Sequence, residues 1–271
     1  MTVISVFEVP QWRSSSSRTA ERLVKGADLL AGMVPGGDRV RVEVAEGTSP
    51  AELAVTASRV RAAQAGVQGF PVTMGGDCGV DLEPIAAAVR RYGDRLVVLW
   101  FDAHGDLNTP DTSPSGAFHG MVLRALTGEG HPELLPEVRL NPRRIVLAGS
   151  RDLDAAEAEF IEEHGVRHLR VEDLVEPDVL LDGVARAADG EVVVYVHIDL
   201  DVLDPEHFTS VGAPAPDGLR PDQLLTLVEA VADRHEIVGL GITEYEPNAP
   251  ADQTTLTPLV SALVKTCTQP H

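Results

Sequence analysis

The stretch Val97-Val-Leu-Trp-Phe-Asp-Ala-His-Gly-Asp-Leu-Asn108 decides how the rest of the chain is read. An uninterrupted apolar run stops at Asp102, His104 and Asp106, spaced two apart. Residues i, i+2 and i+4 of an extended chain share one face, so these side chains can converge on one point. Carboxylates buried without a partner are strongly destabilising, and a divalent cation at the strand end neutralises several at once. A second apolar run, Val192-Val-Val-Tyr-Val-His-Ile-Asp-Leu-Asp201, closes in the same manner on Asp199 and Asp201.

Around these two runs, strand and helix patterns alternate. Further strands are expected at Val3–Val9, Val40–Val44, Phe70–Met74, Arg144–Ala148, Val166–Val171 and Ile237–Ile242. Helices are expected at Thr19–Met33, Ala51–Ala65, Leu82–Tyr92, His119–Leu126, before His164, and at Pro177–Ala188, Pro221–Asp233 and Thr255–Lys265. The serine run Ser14–Ser17 reads as a polar turn that caps the first helix. Strands apolar on both faces and alternating with helices indicate a parallel sheet covered on both sides. The expected fold is therefore α/β, three-layer α/β/α, with a mostly parallel sheet of about eight strands. It is taken as a single domain over residues 1–271. Such sheets bind ligands beyond the carboxyl ends of their strands. Asp77, Asp102 to Asp106, Asp152 to Asp154, Asp199 to Asp201 and Glu244 all fall at those ends.

Composition narrows the function classes. With 44% hydrophobic and 24% charged residues, the 271-residue chain has the balance of a folded globular protein. Acidic residues outnumber basic ones 42 to 22, and the net charge of −20 disfavours nucleic acid or an anionic membrane as partner. The N-terminus lacks the basic and long apolar regions of a signal peptide. Only two cysteines, Cys78 and Cys267, argue against a disulfide scaffold and for a reducing compartment, so a cytoplasmic location is expected.

Four aspartates and a histidine exceed the three protein ligands of a typical catalytic zinc. Carboxylate-rich sites suit harder ions such as Mn²⁺ or Mg²⁺. Shared carboxylates hold two such ions about 3.5–4 Å apart and yield hydroxide at neutral pH.

Five motifs, in this order, carry a family resemblance: Gly75-Gly-Asp-Cys78, Asp102-Ala-His-Gly-Asp-Leu-Asn108, Ser115-Gly-Ala-Phe-His-Gly120, His197-Ile-Asp-Leu-Asp-Val-Leu-Asp-Pro205 and Glu244-Tyr-Glu-Pro247. From Gly75 onward the chain resembles the ureohydrolase family of arginases and agmatinases. The resemblance implies an arginase-like fold and a binuclear manganese hydrolase that releases urea from guanidino compounds through a metal-bridging hydroxide. By motif, it implies that Asp102 and Asp199 bridge the ions, with Asp106 completing the first metal and His104 and Asp201 the second. His119 is implied as the proton shuttle, a role suited to imidazole. Glu244 is implied as the anion that receives the guanidinium. Asn108 and Ser115 match the arginase branch, where they hold the substrate α-carboxylate, and Asp154 matches the acidic residue at the α-amino group. The implied substrate is L-arginine or a close amino-acid analogue, giving urea and an amine such as L-ornithine. The family is commonly trimeric or hexameric, which implies a homo-oligomer.

Three positions depart from the arginase pattern. Ala117 stands for asparagine, Ala213 for threonine near the guanidinium pocket, and Cys78 for the histidine that binds the first metal. These departures keep open a modified arginine such as Nω-hydroxy-L-arginine, other guanidino compounds such as agmatine or guanidinobutyrate, and a metal-poor non-catalytic homologue. Cys78 is either a packing residue or a soft ligand, and in both cases the first manganese is held more weakly or replaced by another divalent metal. His197, two residues before Asp199, points to the same side and is expected to hydrogen-bond a ligand carboxylate, with direct ligation as the alternative.

Overall fold

The computed structural model describes residues 2–66, 68–188 and 190–269, so residues 1, 67, 189, 270 and 271 of the expected domain lie outside it. The strands are β1 (Ile4–Val9), β2 (Asp38–Arg41), β3 (Phe70–Gly75), β4 (Leu96–Phe101), β5 (Ile145–Ala148), β6 (Arg167–Leu169), β7 (Val193–Asp199) and β8 (Glu236–Thr243). They form one eight-stranded sheet in the order β2-β1-β3-β8-β7-β4-β5-β6. Every pairing is parallel. The helices are α1 (Arg22–Met33), α2 (Pro50–Ala65), α3 (Leu82–Tyr92), α4 (Val122–Leu126), α5 (Ala155–His164), α6 (Pro177–Arg186), α7 (Pro221–Ala232) and α8 (Asp252–Cys267).

Strand alternation sorts the core into two layers. On β4, Val97, Leu99 and Phe101 pack with Leu30 of α1 and with α6, α7 and α8. Leu96, Val98 and Trp100 pack with α3, α4 and Phe160 of α5 on the other side. All six β4 residues are fully buried, and each large apolar side chain so covered contributes roughly 1.5–3 kcal/mol. This is why the central strands read as continuous apolar runs. Among the described residues, no helix is long and apolar enough to cross a membrane.

The crossing from β3 to β4 leaves two places in the sheet, which β7 and β8 later fill. Neighbouring strands β3, β8, β7 and β4 thus carry Cys78, Glu244, Asp199 and Asp102 at or just beyond their carboxyl ends. Strand β2 begins and ends earlier than the expected Val40–Val44: Arg41 lies opposite Glu8 of β1, whose buried carboxylate accepts from Arg39 Nε at 2.9 Å and pairs with Arg41. The serine run is a correction. Helix α1 begins only at Arg22, and its N-cap residue Glu21 makes no side-chain capping bond. Instead Ser14 N–H donates to Asp77 Oδ2 at 3.1 Å, carrying the run toward the strand ends.

Candidate metal centre

Short backbone–carboxylate bonds staple the ends of β4 and β7. Asp102 Oδ1 accepts from His104 N–H at 2.6 Å, and its Oδ2 accepts from Trp100 Nε1 at 2.9 Å. Asp199 Oδ1 accepts from Asp201 N–H at 2.7 Å, and Asp201 Oδ1 from Ala103 N–H at 3.0 Å. His104 Nδ1 lies 3.0 Å from Asp201 Oδ2 and 3.3 Å from Asp102 Oδ1.

Among the described residues, three sets of side chains place their ligand atoms within 4.8 Å of one another: Asp102, His104 and Asp201; Cys78, Asp102 and His197; and Cys78, Asp199 and Glu244. Asp102 belongs to two of them. Asp106 joins none, although it lines the same cleft. Its Oδ2 is buried and has no hydrogen-bond partner among the described residues.

The electrostatics of this cluster call for positive charge. Burial pushes Asp199 and Asp106 well above the usual carboxylate range, and the neighbouring carboxylates Asp201 and Asp102 push them further. Asp201 is raised by burial and by Asp102. Asp102 itself is held at about 2, because contact with His104 outweighs its burial. His104 is raised, its burial being outweighed by Asp201 and Asp102. Burial and the same carboxylates drive the Cys78 thiol far up. A crowd of buried oxygens with one orphaned acceptor, an imidazole and a thiol is a donor set that fits divalent metal. Two of these residues, Asp106 (φ 50°) and Glu244 (φ 61°), have left-handed backbones, a strain that persists where surrounding structure holds it in place.

Above the cluster opens a cleft of about 570 Å³, lined by His104, Asp106, Asn108, Ser115, His119, Asp154, Asp199, Asp201 and Glu244. Cys78, Asp102 and His197 lie buried out of this lining. Ser16 N–H donates to His119 Nε2 at 3.2 Å, which puts the ring proton on Nδ1, 3.3 Å from Glu244 Oε1. His119 is raised, because Glu244 outweighs the opposing effect of burial, and Glu244 is raised by burial despite His119. Glu244 Oε1 also accepts from Cys78 N–H at 3.1 Å. Farther out, Asn108 Nδ2 donates to Asp154 Oδ2 at 2.8 Å, and Ser115 sits exposed on the rim.

Several contributors escaped the sequence reading. Ser15, Ser16, Ser17 and Thr19 line the cleft. Glu157, buried, accepts from Leu107 N–H at 3.0 Å and Asp154 N–H at 2.9 Å, fixing the loop that carries Asn108. Arg151 donates to the carbonyls of Asp201, Ala215 and Pro216, tying the 212–218 loop to the end of β7. His197 requires a correction. Its Nδ1 partner, at 2.6 Å, is Asp81 rather than one of the expected ligand carboxylates, because Asp81 projects from the turn before α3 against the buried face of β7. The available signal was Gly239 and Gly241 within β8, since alternate glycines inside a strand mark close approach by other groups.

The sequence pattern of the Arginase family matches residues 25–267. An arginase from Staphylococcus aureus (strain COL) is 37% identical over 188 residues, covering 66% of this chain and 61% of that protein. The chain thus spans less than two thirds of the curated relatives it matches. The crystal structure of arginase from Bacillus subtilis superposes with a TM-score of 0.81 at 27% identity, covering 97% of this chain and 98% of the other. Arginase from Entamoeba histolytica shares the fold, with a TM-score of 0.82 at 24% identity over 96% of this chain and 97% of that one.

Proposed function

The chain belongs to the arginase family, and from that premise we propose that it is an amidinohydrolase cleaving the guanidino group of L-arginine or a close amino-acid analogue to urea and an amine. One observation carries this reading: a single cleft joins a carboxylate–histidine cluster, the His119–Glu244 pair and the Asn108–Asp154 pair. These match, in turn, a divalent-metal centre, a guanidinium with its leaving amine, and an α-amino acid head group.

Asp102, His104 and Asp201, with Asp199, Asp106 and Cys78 beside them, are the residues that would hold two divalent ions, Mn²⁺ foremost among the hard ones. Such ions supply Lewis acidity and a water of lowered pKa. Glu244 receives the guanidinium through charge-assisted bonds. His119, whose pKa is raised because Glu244 outweighs its burial, would in its imidazolium form deliver a proton to the departing amine as a general acid and be left as neutral imidazole. Asn108 and Ser115 hold the α-carboxylate and Asp154 the α-ammonium. The same reading takes residues 1–271 as one domain, assembling as a trimer or hexamer in the cytoplasm, where Cys78 and Cys267 stay free.

Ala213 in the cleft lining favours a second substrate, a guanidinium enlarged by a hydroxyl as in Nω-hydroxy-L-arginine. The test is urea or hydroxyurea release by manganese-loaded protein from L-arginine, Nω-hydroxy-L-arginine, agmatine and guanidinobutyrate. The highest kcat/KM is expected for an α-amino acid of this set. Release from agmatine alone would overturn the roles of Asn108 and Asp154, and release from none would mark a non-catalytic homologue.

A further inference from the structure

Below the cleft floor lies a buried imidazole that the hydrolytic scheme leaves unused. His197 has no solvent exposure. Its Nδ1 is 2.6 Å from Asp81 Oδ2, and the Tyr195 hydroxyl donates to Asp81 Oδ1 at 3.0 Å. An ionised carboxylate only accepts, so Nδ1 carries the ring proton and Nε2 presents its lone pair on the far side. The ring plane is fixed by Trp100, stacked at 3.4 Å between centroids with 9° between planes.

The sequence makes room for this arrangement at two points of β8. A Cβ on Gly241 would lie 1.8 Å from Asp81 Oδ2, and one on Gly239 would lie 2.5 Å from Tyr195 Cε2. A carboxylate behind an imidazole is the support that metal-ligating histidines use, because it sets the tautomer and raises the basicity of the free nitrogen. What that nitrogen faces is a thiol beside a hydroxyl, Thr243 Oγ1 lying 3.4 Å from Nε2 and 3.3 Å from Cys78 Sγ. Nε2 is 3.5 Å from Cys78 Sγ, which in turn is 3.2 Å from Asp199 Oδ2. A tetrahedral ion with bonds of about 2.3 Å to sulfur and about 2.0–2.1 Å to nitrogen separates the two donors by about 3.5 Å. The observed Sγ–Nε2 separation matches that spacing, and Asp102 completes a three-donor set within 4.8 Å.

We propose that Cys78 Sγ and His197 Nε2, with carboxylate oxygens of Asp102 and Asp199, form a sulfur-containing position for a borderline divalent ion such as zinc or cobalt(II). The Asp102–His104–Asp201 position takes the harder ion. This rests on the binuclear reading above. Binding exchanges the thiol S–H bond for an S–metal bond and releases one proton to solvent. Asp81 acts as a positioning residue through His197.

The test strips the protein with chelator, titrates it with Co²⁺, and follows both bound cobalt and thiolate-to-cobalt charge-transfer absorption. Wild type is expected to bind two equivalents and show the band. Cys78→Ser should bind one equivalent without the band. His197→Asn should lose at least about tenfold in the affinity of the ion that gives the band, and Asp81→Asn, which removes no ligand, about 10–100-fold. Asp81→Asn reads the same contact if His197→Asn is insoluble, and the ion retained beside His104 reports that each variant is folded. Two bound ions without the band, or an unchanged band and affinity in His197→Asn or Asp81→Asn, would overturn the proposal while leaving the binuclear reading intact. A wild type that binds no cobalt would overturn both.

Discussion

Asp102 stands between two unlike halves of the centre. On the His104 side, oxygen and one imidazole form the set, and the His104 side chain keeps 27% of its surface in contact with solvent. On the Cys78 side, sulfur and a second imidazole join the carboxylates, and both Cys78 and His197 are buried beneath the cleft. The first half is held by strand-end backbone bonds to Asp102, Asp199 and Asp201. The second is held by a chain of side chains running through Asp81, Tyr195 and Trp100 into the core. The same strand-end geometry can therefore serve two ions of different hardness, depending on whether the neighbouring layer supplies backbone or side-chain support.

Substitution of Asp102, the residue both halves share, has the largest expected effect. Asp102→Asn keeps the side-chain shape but removes the charge common to two donor sets, so both ions should be lost. Because removing even an outer support costs roughly 10–100-fold, kcat/KM should fall by more than about 100-fold. Metal analysis after desalting together with steady-state urea release checks this. Retention of one tightly held ion with near-normal rate would show that the halves do not share Asp102.

Next in size is the exchange that would make the halves alike. Cys78→His replaces the soft donor by imidazole, and manganese retention after dialysis should rise while cobalt preference falls. Unchanged metal content and preference would place Cys78 among packing residues.

Legibility followed locality. The apolar runs of β4 and β7 and the i, i+2 spacing of Asp102, His104, Asp199 and Asp201 exposed both the sheet and its cation-demanding ends, because strand periodicity is a local property. The Asp81–His197 contact joins residues 116 apart and depends on packing of the turn before α3 against β7, which no window of sequence contains. Ser14–Ser17 has the composition of a helix cap, yet Ser16 meets His119, 103 residues away, because the segment leaving β1 lies beside the end of β3. Asp106 sits in the expected motif but outside the three donor sets, its carboxylate aimed by a left-handed backbone that spacing does not foretell.

A smaller effect distinguishes the floor from the rim. Asn108→Ala removes one bond to Asp154 and, on the proposed binding of an α-amino acid, the donor assigned to its α-carboxylate, so KM for L-arginine should rise about tenfold with kcat little changed. The same change with agmatine, which lacks that carboxylate, should leave KM nearly constant. Equal losses with both substrates would move Asn108 from recognition to loop structure.

The mildest expected change is in the stability of metal-free protein. Asp106, Asp199, Asp201 and Glu244 have folded pKa values raised by burial first and by charge repulsion or opposition second. Their protonated forms are favoured in the fold, so the stability they provide is full below their unfolded values near about 4 and declines as pH rises toward the folded values. Asp102, lowered to about 2, acts only below that window, and His104, raised, adds to the decline once pH passes its unfolded value near about 6.5, so the sign is unchanged. Metal-free protein should therefore melt at a higher temperature at pH 5 than at pH 8, and divalent metal should remove most of the difference. Melting curves with and without chelator measure it, and a higher melting temperature at pH 8 without metal would contradict it.

The most direct measurement is anomalous diffraction from crystals grown with both Mn²⁺ and Zn²⁺, recorded on each side of the zinc absorption edge. A zinc peak bonded to Cys78 Sγ and His197 Nε2 is expected, with a separate manganese peak beside His104 and Asp201. Manganese at both positions, with His197 Nε2 bonded to no ion, would contradict it.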